Sequence, residues 1–323
     1  PGSPNYKELT TGHEDGTHWV PAEVDVSIRP GWYYHESEDH KVKSVKHLVD
    51  IYYHSIGRNA SFLLNFPVDR RGLIHEKDVE HLMKMVEVVR RDLQTDLAWD
   101  ARVEASQVRG GSRNFDARNV VDGEPDTYWA TDDSVQSASL TFEFGRENTF
   151  NRIQIQEYIP LGQRVKEFSL EAWVDGAWKE IDKQTTIGYK RILRFENVSS
   201  DKLRLNILDA KDCPTISNVE IYHAPKLLEP PAITRDKEGM VSLEAFDSGL
   251  DIYYTTDGSD PDRRSGMYAE PFALKGKGEI RAIAYDPASE ESSEVTQQPY
   301  DICKERWSVV TPDPRLYPRV QAV

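Results

Sequence analysis

Two carboxylates, a guanidinium and an indole lie close together near the amino end of the sequence. Glu23, Asp25 and Arg29 alternate with aliphatic residues, and Trp32 follows a Pro-Gly turn. In a strand, residues i and i+2 share a face, so this pattern predicts one aliphatic face and one polar face carrying Glu23, Asp25 and Arg29. Carboxylates and arginine bond directionally to hydroxyls, and an indole covers apolar surface. The group therefore suits sugar binding, although a solvated strand face with a core tryptophan gives the same pattern.

The neighbouring segments predict an α/β arrangement around this strand. Apolar spacing predicts an amphipathic helix over residues 37–57, with Ser37 as N-cap and Gly57 as the stop. The apolar run 61–66 predicts a strand buried on both faces, and residues 76–93 predict a second helix. Strand, helix, strand and helix in alternation is typical of α/β folds. In βα barrels the active site lies at the carboxyl ends of the strands, where Trp32 is expected.

Composition restricts the functional classes. The 323 residues include 55 Asp+Glu and 40 Lys+Arg, a net charge of −15, which argues against nucleic acid as a partner. The sequence has no apolar run long enough for a membrane span. The two cysteines exclude a disulfide framework, and the histidines lack metal-site spacing. The first residues contain neither an initiator methionine nor a signal peptide, which indicates a removed leader or a piece of a longer chain.

The pattern changes after about residue 98. Short segments with period-2 alternation, separated by turn signals, predict an antiparallel β-sandwich over residues 98–224. A Pro-rich linker leads to a smaller all-β unit over 225–300, and residues 301–323 form a tail or the start of a further module. The predicted fold class is thus multidomain, with an α/β region at 1–97 followed by two all-β sandwich domains.

Two long motifs in the first region resemble α-L-fucosidases of glycoside hydrolase family 29. They are residues 19–35, WVPAEVDVSIRPGWYYH, and residues 61–75, SFLLNFPVDRRGLIH. The first is similar to a segment near the end of the catalytic barrel in the subgroup that prefers α-1,3/1,4-linked fucose. The second is similar to the last barrel strand and its loop. The resemblance implies that residues 1–97 are the C-terminal part of a (β/α)8-type barrel.

The resemblance also implies which catalytic parts the chain does not carry. A (β/α)8 barrel needs about 250 residues, and retaining glycosidases use two carboxylates about 5–5.5 Å apart. Here the nucleophile and the general acid/base are expected upstream of Pro1, so this portion alone is expected to be inactive. Trp32 would pack against the fucose methyl group, while Glu23, Asp25 and Arg29 would shape the pocket. Glu23 as the proton donor is the lesser alternative. No catalytic cofactor is expected.

The second region resembles the discoidin domain, whose bacterial members form carbohydrate-binding module family 32. The motifs are residues 119–131, NVVDGEPDTYWAT, and residues 216–222, ISNVEIY. The resemblance implies a structural calcium held by oxygens of Asn119, Asp122, Thr127 and Glu220, since calcium takes six to eight oxygen ligands. Without the resemblance, the same residues indicate a tight surface turn. Galactose-containing glycans are the expected ligands of this module. Arg109, Arg113, Tyr158 and Gln163 are binding candidates because they are polar or aromatic and lie in predicted loops, although residues that only solvate or brace a loop fit the same pattern better.

The third region, residues 250–262 (LDIYYTTDGSDPD) and 265–272 (SGMYAEPF), resembles the small C-terminal β-sandwich of chitobiases, a spacer or brace. Together the three resemblances imply a periplasmic, secreted or cell-surface bacterial fucosidase acting with retention on terminal fucose of Lewis-type glycans. Two alternatives stay open: a non-catalytic carbohydrate-binding scaffold, and an adhesion protein with a protein or lipid partner.

Overall fold

The computed structural model of the chain describes residues 15–303. The predicted tail or further module at 301–323 therefore lies almost entirely outside the described residues. The chain is divided into two compact units, one ending at Ala224 and the other beginning at Pro225. The predicted boundary at residue 98 falls inside the first unit and stays a prediction.

The first unit begins with a small α/β region. Strand β1 (Ala22–Ser27) pairs in parallel with β2 (Ala60–Asn65), and the helices α1 (Val45–Ser55) and α2 (Glu76–Asp92) follow one strand each. This confirms the predicted strand and helix order, including the bounds of α2 to within one residue. The register pairs Ala22 with Ala60 and Ser27 with Asn65, so both strands end at the same edge.

The predicted helix over 37–57 is wrong at its start. Residues Glu36–Lys41 form a separate 3-10 helix, and α1 begins only at Val45. The N-cap is Ser44 rather than Ser37, because the Ser44 hydroxyl accepts a hydrogen bond from the His47 backbone N–H at 3.2 Å. The apolar spacing begins only at Val42, because Glu36–Lys41 (ESEDHK) contains no apolar residue, so the spacing did not support a helix start at Ser37.

One face of the two-stranded sheet is open. The prediction that residues 61–66 form a strand buried on both faces is wrong, since Ser61 and Leu63 are exposed on the same face as Glu23 and Asp25. On α2, the predicted apolar face is also partly uncovered, with Val79 and Met83 exposed. Parallel sheets normally have both faces covered, whereas in residues 15–303 the side chains on this face are exposed.

A seven-stranded antiparallel sheet forms the rest of the first unit. Its strands are β3 (Arg102–Ala105), β4 (Trp129–Ala130), β5 (Ala138–Glu157), β6 (Val165–Val174), β7 (Ala177–Gln184), β8 (Arg191–Ala210) and β9 (Thr215–Tyr222). The order is β4-β9-β5-β8-β6-β7, with β3 also paired to β5. The fully buried core includes Trp129, Phe142, Phe150 and Phe168. The alternating segments therefore predicted the sheet, although β5 joins two of them, residues 139–144 and 152–156, across shifts in its pairing register.

The sandwich contacts the α/β region where β2 begins, at the edge opposite Ser27 and Asn65. The Gly57 carbonyl accepts from the Ile192 N–H at 2.9 Å, and Asn59 Oδ1 accepts from the Tyr189 N–H at 2.7 Å. Gly188 permits this approach, since a Cβ there would lie 2.5 Å from the Asn59 amide. Strands β1 and β2 have six residues each and are therefore about 20 Å long, so their two edges are well separated. The sandwich is thus fixed at the N-terminal edge of the strands.

The second unit is a small β-sandwich. One sheet contains β10 (Ala232–Arg235), β11 (Met240–Glu244) and β14 (Phe272–Ala273). The other contains β12 (Asp251–Thr255), β13 (Gly266–Met267), β15 (Gly278–Asp286), β16 (Glu291–Ser292) and β17 (Thr296–Tyr300). Val241, Leu243, Ile252 and Ile280 form its core.

Candidate functional site

The loop that carries Trp32 is tied to the carboxyl ends of both parallel strands. The Ser27 hydroxyl donates to the Gly31 carbonyl at 2.7 Å. The Asn65 amide donates to Ser27 Oγ at 3.1 Å and to the Trp32 carbonyl at 3.3 Å. The Trp32 side chain itself is 51% exposed. The predicted position of Trp32 beyond the strand end is therefore confirmed, and its backbone is held while its indole is free to meet a ligand.

The alternation predicted that Arg29 shares a face with Glu23 and Asp25, and this prediction is wrong. Strand β1 ends at Ser27, and the Arg29 side chain is fully buried. Its Nε atom lies 3.0 and 2.9 Å from the two carboxylate oxygens of Asp78, and its Nη1 atom lies 2.8 Å from Asp39 Oδ1. Arg29 therefore contributes to the site by fixing the loop, because its charge is used within the protein.

Aromatic groups complete the cluster around Arg29. The guanidinium lies 4.7 Å from the centre of the Tyr34 ring, which stacks on His75 at 5.8 Å. The Tyr34 hydroxyl donates to Asp39 Oδ2 at 3.4 Å, and His75 Nε2 lies 3.5 Å from the same oxygen. Desolvation alone would raise the pKa of Asp39, but the hydrogen bond and charge of Arg29 lower it below its ordinary value.

Sequence reasoning missed Asp39, Asp78 and His75. Asp78 lies in the first turn of α2, where an acidic residue is expected for the helix dipole alone, so its pairing with Arg29 left no separate signal. His75 is the N-cap of the same helix and accepts from the Lys77 N–H through Nδ1 at 3.3 Å. The histidine-rich composition of the first 81 residues was visible, but it did not identify which histidine would join the cluster.

Glu23 and Asp25 are exposed side by side on the open face of the sheet. They lie opposite Ser61 and Leu63 on β2, respectively, on a face that the two helices leave uncovered. Two carboxylates on one face of a parallel sheet can accept hydrogen bonds from hydroxyl groups. The structure brings these two residues together and places Trp32 beyond the end of their strand.

Three of the four predicted calcium ligands, Asn119, Asp122 and Thr127, belong to one segment of the chain. The Thr127 hydroxyl lies 2.8 Å from Asp122 Oδ2 and 3.2 Å from the Glu124 carbonyl, so three oxygens converge in one loop. Asn119 anchors this loop, donating to the Tyr128 carbonyl at 3.0 Å. Glu220 and the residues that follow Asp122, Gly123 and Glu124, line the same cleft, and Glu220 as a calcium ligand stays a prediction.

The Glu220 carboxylate is held by donors on the sandwich sheet. Oε2 accepts from Gln154 Nε2 and from the Tyr222 hydroxyl, both at 2.6 Å, and Oε1 accepts from Asn218 Nδ2 at 2.9 Å. Burial, together with the bond to Glu220, raises the pKa of Tyr222 above its ordinary value. Within residues 15–303, no three His, Cys, Asp or Glu side chains converge as a metal site. The loop around Asp122 would therefore bind a hard cation through hydroxyl and carbonyl oxygens as well as one carboxylate.

Of the loop candidates for sugar binding, Arg109, Tyr158 and Gln163 have defined partners. Gln163 Oε1 accepts from Asn59 Nδ2 at 3.5 Å. Arg109 Nη1 lies 2.7 Å from Asp133 Oδ1, and the guanidinium lies 5.8 Å from the Phe115 ring. The Tyr158 ring stacks on Tyr128 at 4.4 Å.

None of the helices in the described part of the chain is both long and apolar enough for a membrane crossing.

Comparisons with known proteins agree on one enzyme class. Residues 102–221 match the F5/8 type C domain, and residues 241–300 match the family described as Fn3 associated. The chain is 41% identical over 223 residues to alpha-L-fucosidase 1 of Arabidopsis thaliana. That alignment covers 68% of this chain and 43% of the plant protein. The chain therefore has alpha-L-fucosidase homologues and contains a discoidin-like domain.

Solved structures extend the similarity. A Ruminococcus gnavus GH29 fucosidase in complex with fucose superposes with a TM-score of 0.62 at 29% identity, over 67% of this chain and 43% of that one. A glycoside hydrolase 29 family member from an unknown rumen bacterium has a TM-score of 0.56 at 26% identity, over 94% of this chain and 54% of that one. The chain spans about two fifths of the length of the curated relatives it matches.

Proposed function

We propose that this chain is the C-terminal part of a retaining α-L-fucosidase that removes terminal α-1,3/1,4-linked fucose from Lewis-type glycans. The observation that carries the proposal is the exposed Trp32 indole, fixed by Ser27, Asn65 and the Arg29 cluster at the carboxyl ends of two parallel strands. Ligands of α/β barrels bind at that edge. The alpha-L-fucosidase homologues support the same assignment.

The proposal assigns the described α/β elements to the end of a (β/α)8 barrel. The open face of β1 and β2 and the exposed Val79 and Met83 on α2 support it, because these surfaces suit packing against further barrel elements. The nucleophile and the general acid/base belong to residues outside this chain. Trp32 packs against the fucose methyl group, Glu23 and Asp25 accept from hydroxyls, and Arg29 positions the loop.

We infer that the sandwich domains have supporting roles. The discoidin-like domain at 98–224 binds glycans, including those that contain galactose, and holds a structural calcium at Asp122 and Thr127 with help from the Asn119 region. An oxygen of Glu220, which lines the same cleft as Gly123 and Glu124, is the fourth proposed ligand. The chitobiase-like domain at 225–300 is a spacer. The proposed location is periplasmic, secreted or at the bacterial cell surface.

A second candidate is a non-catalytic carbohydrate-binding scaffold. It is favoured by the seven-stranded sandwich, which is formed within this chain and packs a core of its own. The adhesion alternative explains neither the Trp32 loop nor the Arg29 cluster.

Fucose release separates the two candidates. We expect the longer protein that includes an upstream barrel to hydrolyse a nitrophenyl α-L-fucoside and a Lewis trisaccharide, and the 323-residue chain to be inactive. Proton NMR of the first sugar product is expected to show the α-anomer, as retention requires. A longer protein that binds glycans without releasing fucose would favour the scaffold, and the β-anomer as first product would contradict retention.

A further inference from the structure

A cleft of about 250 Å³ lies on the sandwich, outside the Trp32 site. Four segments converge on it: the loop 123–125, the end of β5 with the turn 156–160, Tyr189, and residues 217–220 of β9. The cleft is smaller than the ~300–1,000 Å³ of a site for a drug-sized ligand. It is therefore suited to a ligand of about one ring.

The polar groups of the cleft are held in fixed positions. Asn218 Nδ2 donates to Gln156 Oε1 at 3.0 Å and to Glu220 Oε1 at 2.9 Å, so the three side chains form one chain of bonds. Their remaining amide and carboxylate atoms supply both donors and acceptors. A ligand with several neighbouring hydroxyl groups can bond to such an array, because each hydroxyl both donates and accepts.

Two tyrosines form the aromatic part of the cleft. Tyr158 is braced by the stacked Tyr128 ring at 4.4 Å, and Tyr189 is 53% exposed. The buried Glu157 carboxylate accepts from the backbone N–H groups of Arg164 and Gly188 at 2.6 and 2.7 Å. Glu157 thereby holds the segment that carries Tyr189. An aromatic ring beside directional polar groups can bind a ligand with one apolar face and a polar rim.

The charge of the cleft selects the kind of ligand. Glu124, Glu157 and Glu220 line it, and the described lining residues include no lysine or arginine. A phosphate, sulfate or carboxylate on the ligand would meet like charge without a compensating cation. The site therefore disfavours anionic sugars and suits an uncharged ring.

We propose that this cleft binds one neutral pyranose unit of a glycan, with Tyr158 and Tyr189 against its C–H surface and Gln156, Asn218 and Glu220 on its hydroxyls. The inference rests on the proposed glycan-binding role of the sandwich and not on fucose hydrolysis. Tyr189 contacts Asn59, at the N-terminal edge of the strands, and its ring lies 6.3 Å from that of Trp19. The cleft thus lies at the opposite edge from Trp32, and its ligand does not compete with one bound there.

The test uses the 323-residue chain, because sugar binding to the cleft does not require the catalytic residues of the longer protein. Saturation-transfer NMR and calorimetry would be run with D-galactose, L-fucose, N-acetylglucosamine and the anionic N-acetylneuraminic acid as probes. The variants are Tyr189→Ala and Gln156→Leu, with Phe246→Ala, an exposed aromatic in the second unit, as the matched control. Thermal unfolding of each variant verifies that it folds.

We expect at least one neutral sugar to bind, at least tenfold loss of affinity in both cleft variants, and unchanged affinity in Phe246→Ala. Binding of N-acetylneuraminic acid in preference to every neutral sugar would overturn the inference. So would neutral-sugar binding that survives both substitutions, although the sandwich would then still be a glycan-binding domain. Absence of binding by any probe would overturn the cleft and the binding role together, without bearing on fucose release by the longer protein.

Discussion

Arg29 and Asp78 form an ion pair in which neither side chain is exposed to solvent. The pair links the end of β1 to the first turn of α2, 49 positions further along the chain. Removing the Asp78 charge leaves the buried Arg29 charge with the Asp39 carboxylate as its remaining ion-pair partner. We expect Asp78→Asn to lower the free energy of unfolding of the first unit by about 3–5 kcal/mol.

Denaturant unfolding of the variant measures this loss. The matched control is Glu80→Gln on the same helix, which removes the exposed i,i+4 pair between Glu80 and Lys84. Exposed pairs of this kind contribute about 0.5 kcal/mol or less. Equal effects of the two substitutions would show that the Arg29–Asp78 pair has no special role in fixing the loop.

Substitution of Trp32 tests whether its indole belongs to the fucose site. Because its side chain is half exposed, Trp32→Ala is expected to leave the melting temperature unchanged. In the longer protein, loss of the indole surface should lower kcat/KM for a nitrophenyl fucoside at least about tenfold, since burying a large apolar side chain contributes about 1.5–3 kcal/mol. Tyr33→Ala, at the exposed neighbouring residue, serves as the control. An unchanged kcat/KM for Trp32→Ala would remove Trp32 from the fucose site.

Glu157 should give the sandwich a distinctive pH dependence. Its carboxyl group is fully buried, and desolvation raises its pKa to about 7 despite bonds from the Arg164, Val165 and Gly188 amides. The folded state therefore binds more protons than the unfolded state between pH ~4.5 and ~7. Stability is consequently expected to fall as the pH rises through this window, by about 3 kcal/mol for this group at 1.36 kcal/mol per pKa unit.

Glu157→Gln removes the titration and should flatten the pH dependence of the unfolding free energy over that window. Glu196→Gln, at an exposed position of the same sandwich, should retain the wild-type slope. Denaturant unfolding at pH 4.5, 5.5 and 7 measures both variants. The same slope for Glu157→Gln and the wild type would show that Glu157 does not titrate in this range.

Calcium should stabilise the chain through the loop that contains Asp122. If the ion binds only the folded state, calcium at 100 times its Kd adds about 2.7 kcal/mol. We expect the melting temperature of the wild type to rise with calcium and to fall on chelation, and Asp122→Ala to abolish both shifts. Asp126→Ala, in the same loop, should keep them. A wild-type melting temperature that is the same with calcium and with chelator would exclude the structural ion.

Local patterns predicted those elements whose formation depends on nearby residues. The alternation in β1 and the helical spacing of α2 were visible because one face of each element has a different polarity from the other. The Asp-Gly signal at 122–123 likewise marked a real turn, with Gly123 at a φ of +75°. The start of α1 was predicted wrongly because Ser37 and Ser44 are both suitable N-cap residues by type, and the structure uses Ser44.

Local sequence patterns were sufficient for the order of strands and helices in the α/β region, for the position of Trp32 beyond β1, and for the antiparallel strands that follow. Tertiary packing was needed to show that the Trp32 indole is exposed, that Arg29 is buried against Asp78, and that four segments of the sandwich form a cleft at Tyr189. Periodicity reports which face of an element is buried over a few residues. Partners 49 or more positions apart are chosen by the packing of whole elements, and no local pattern encodes that choice.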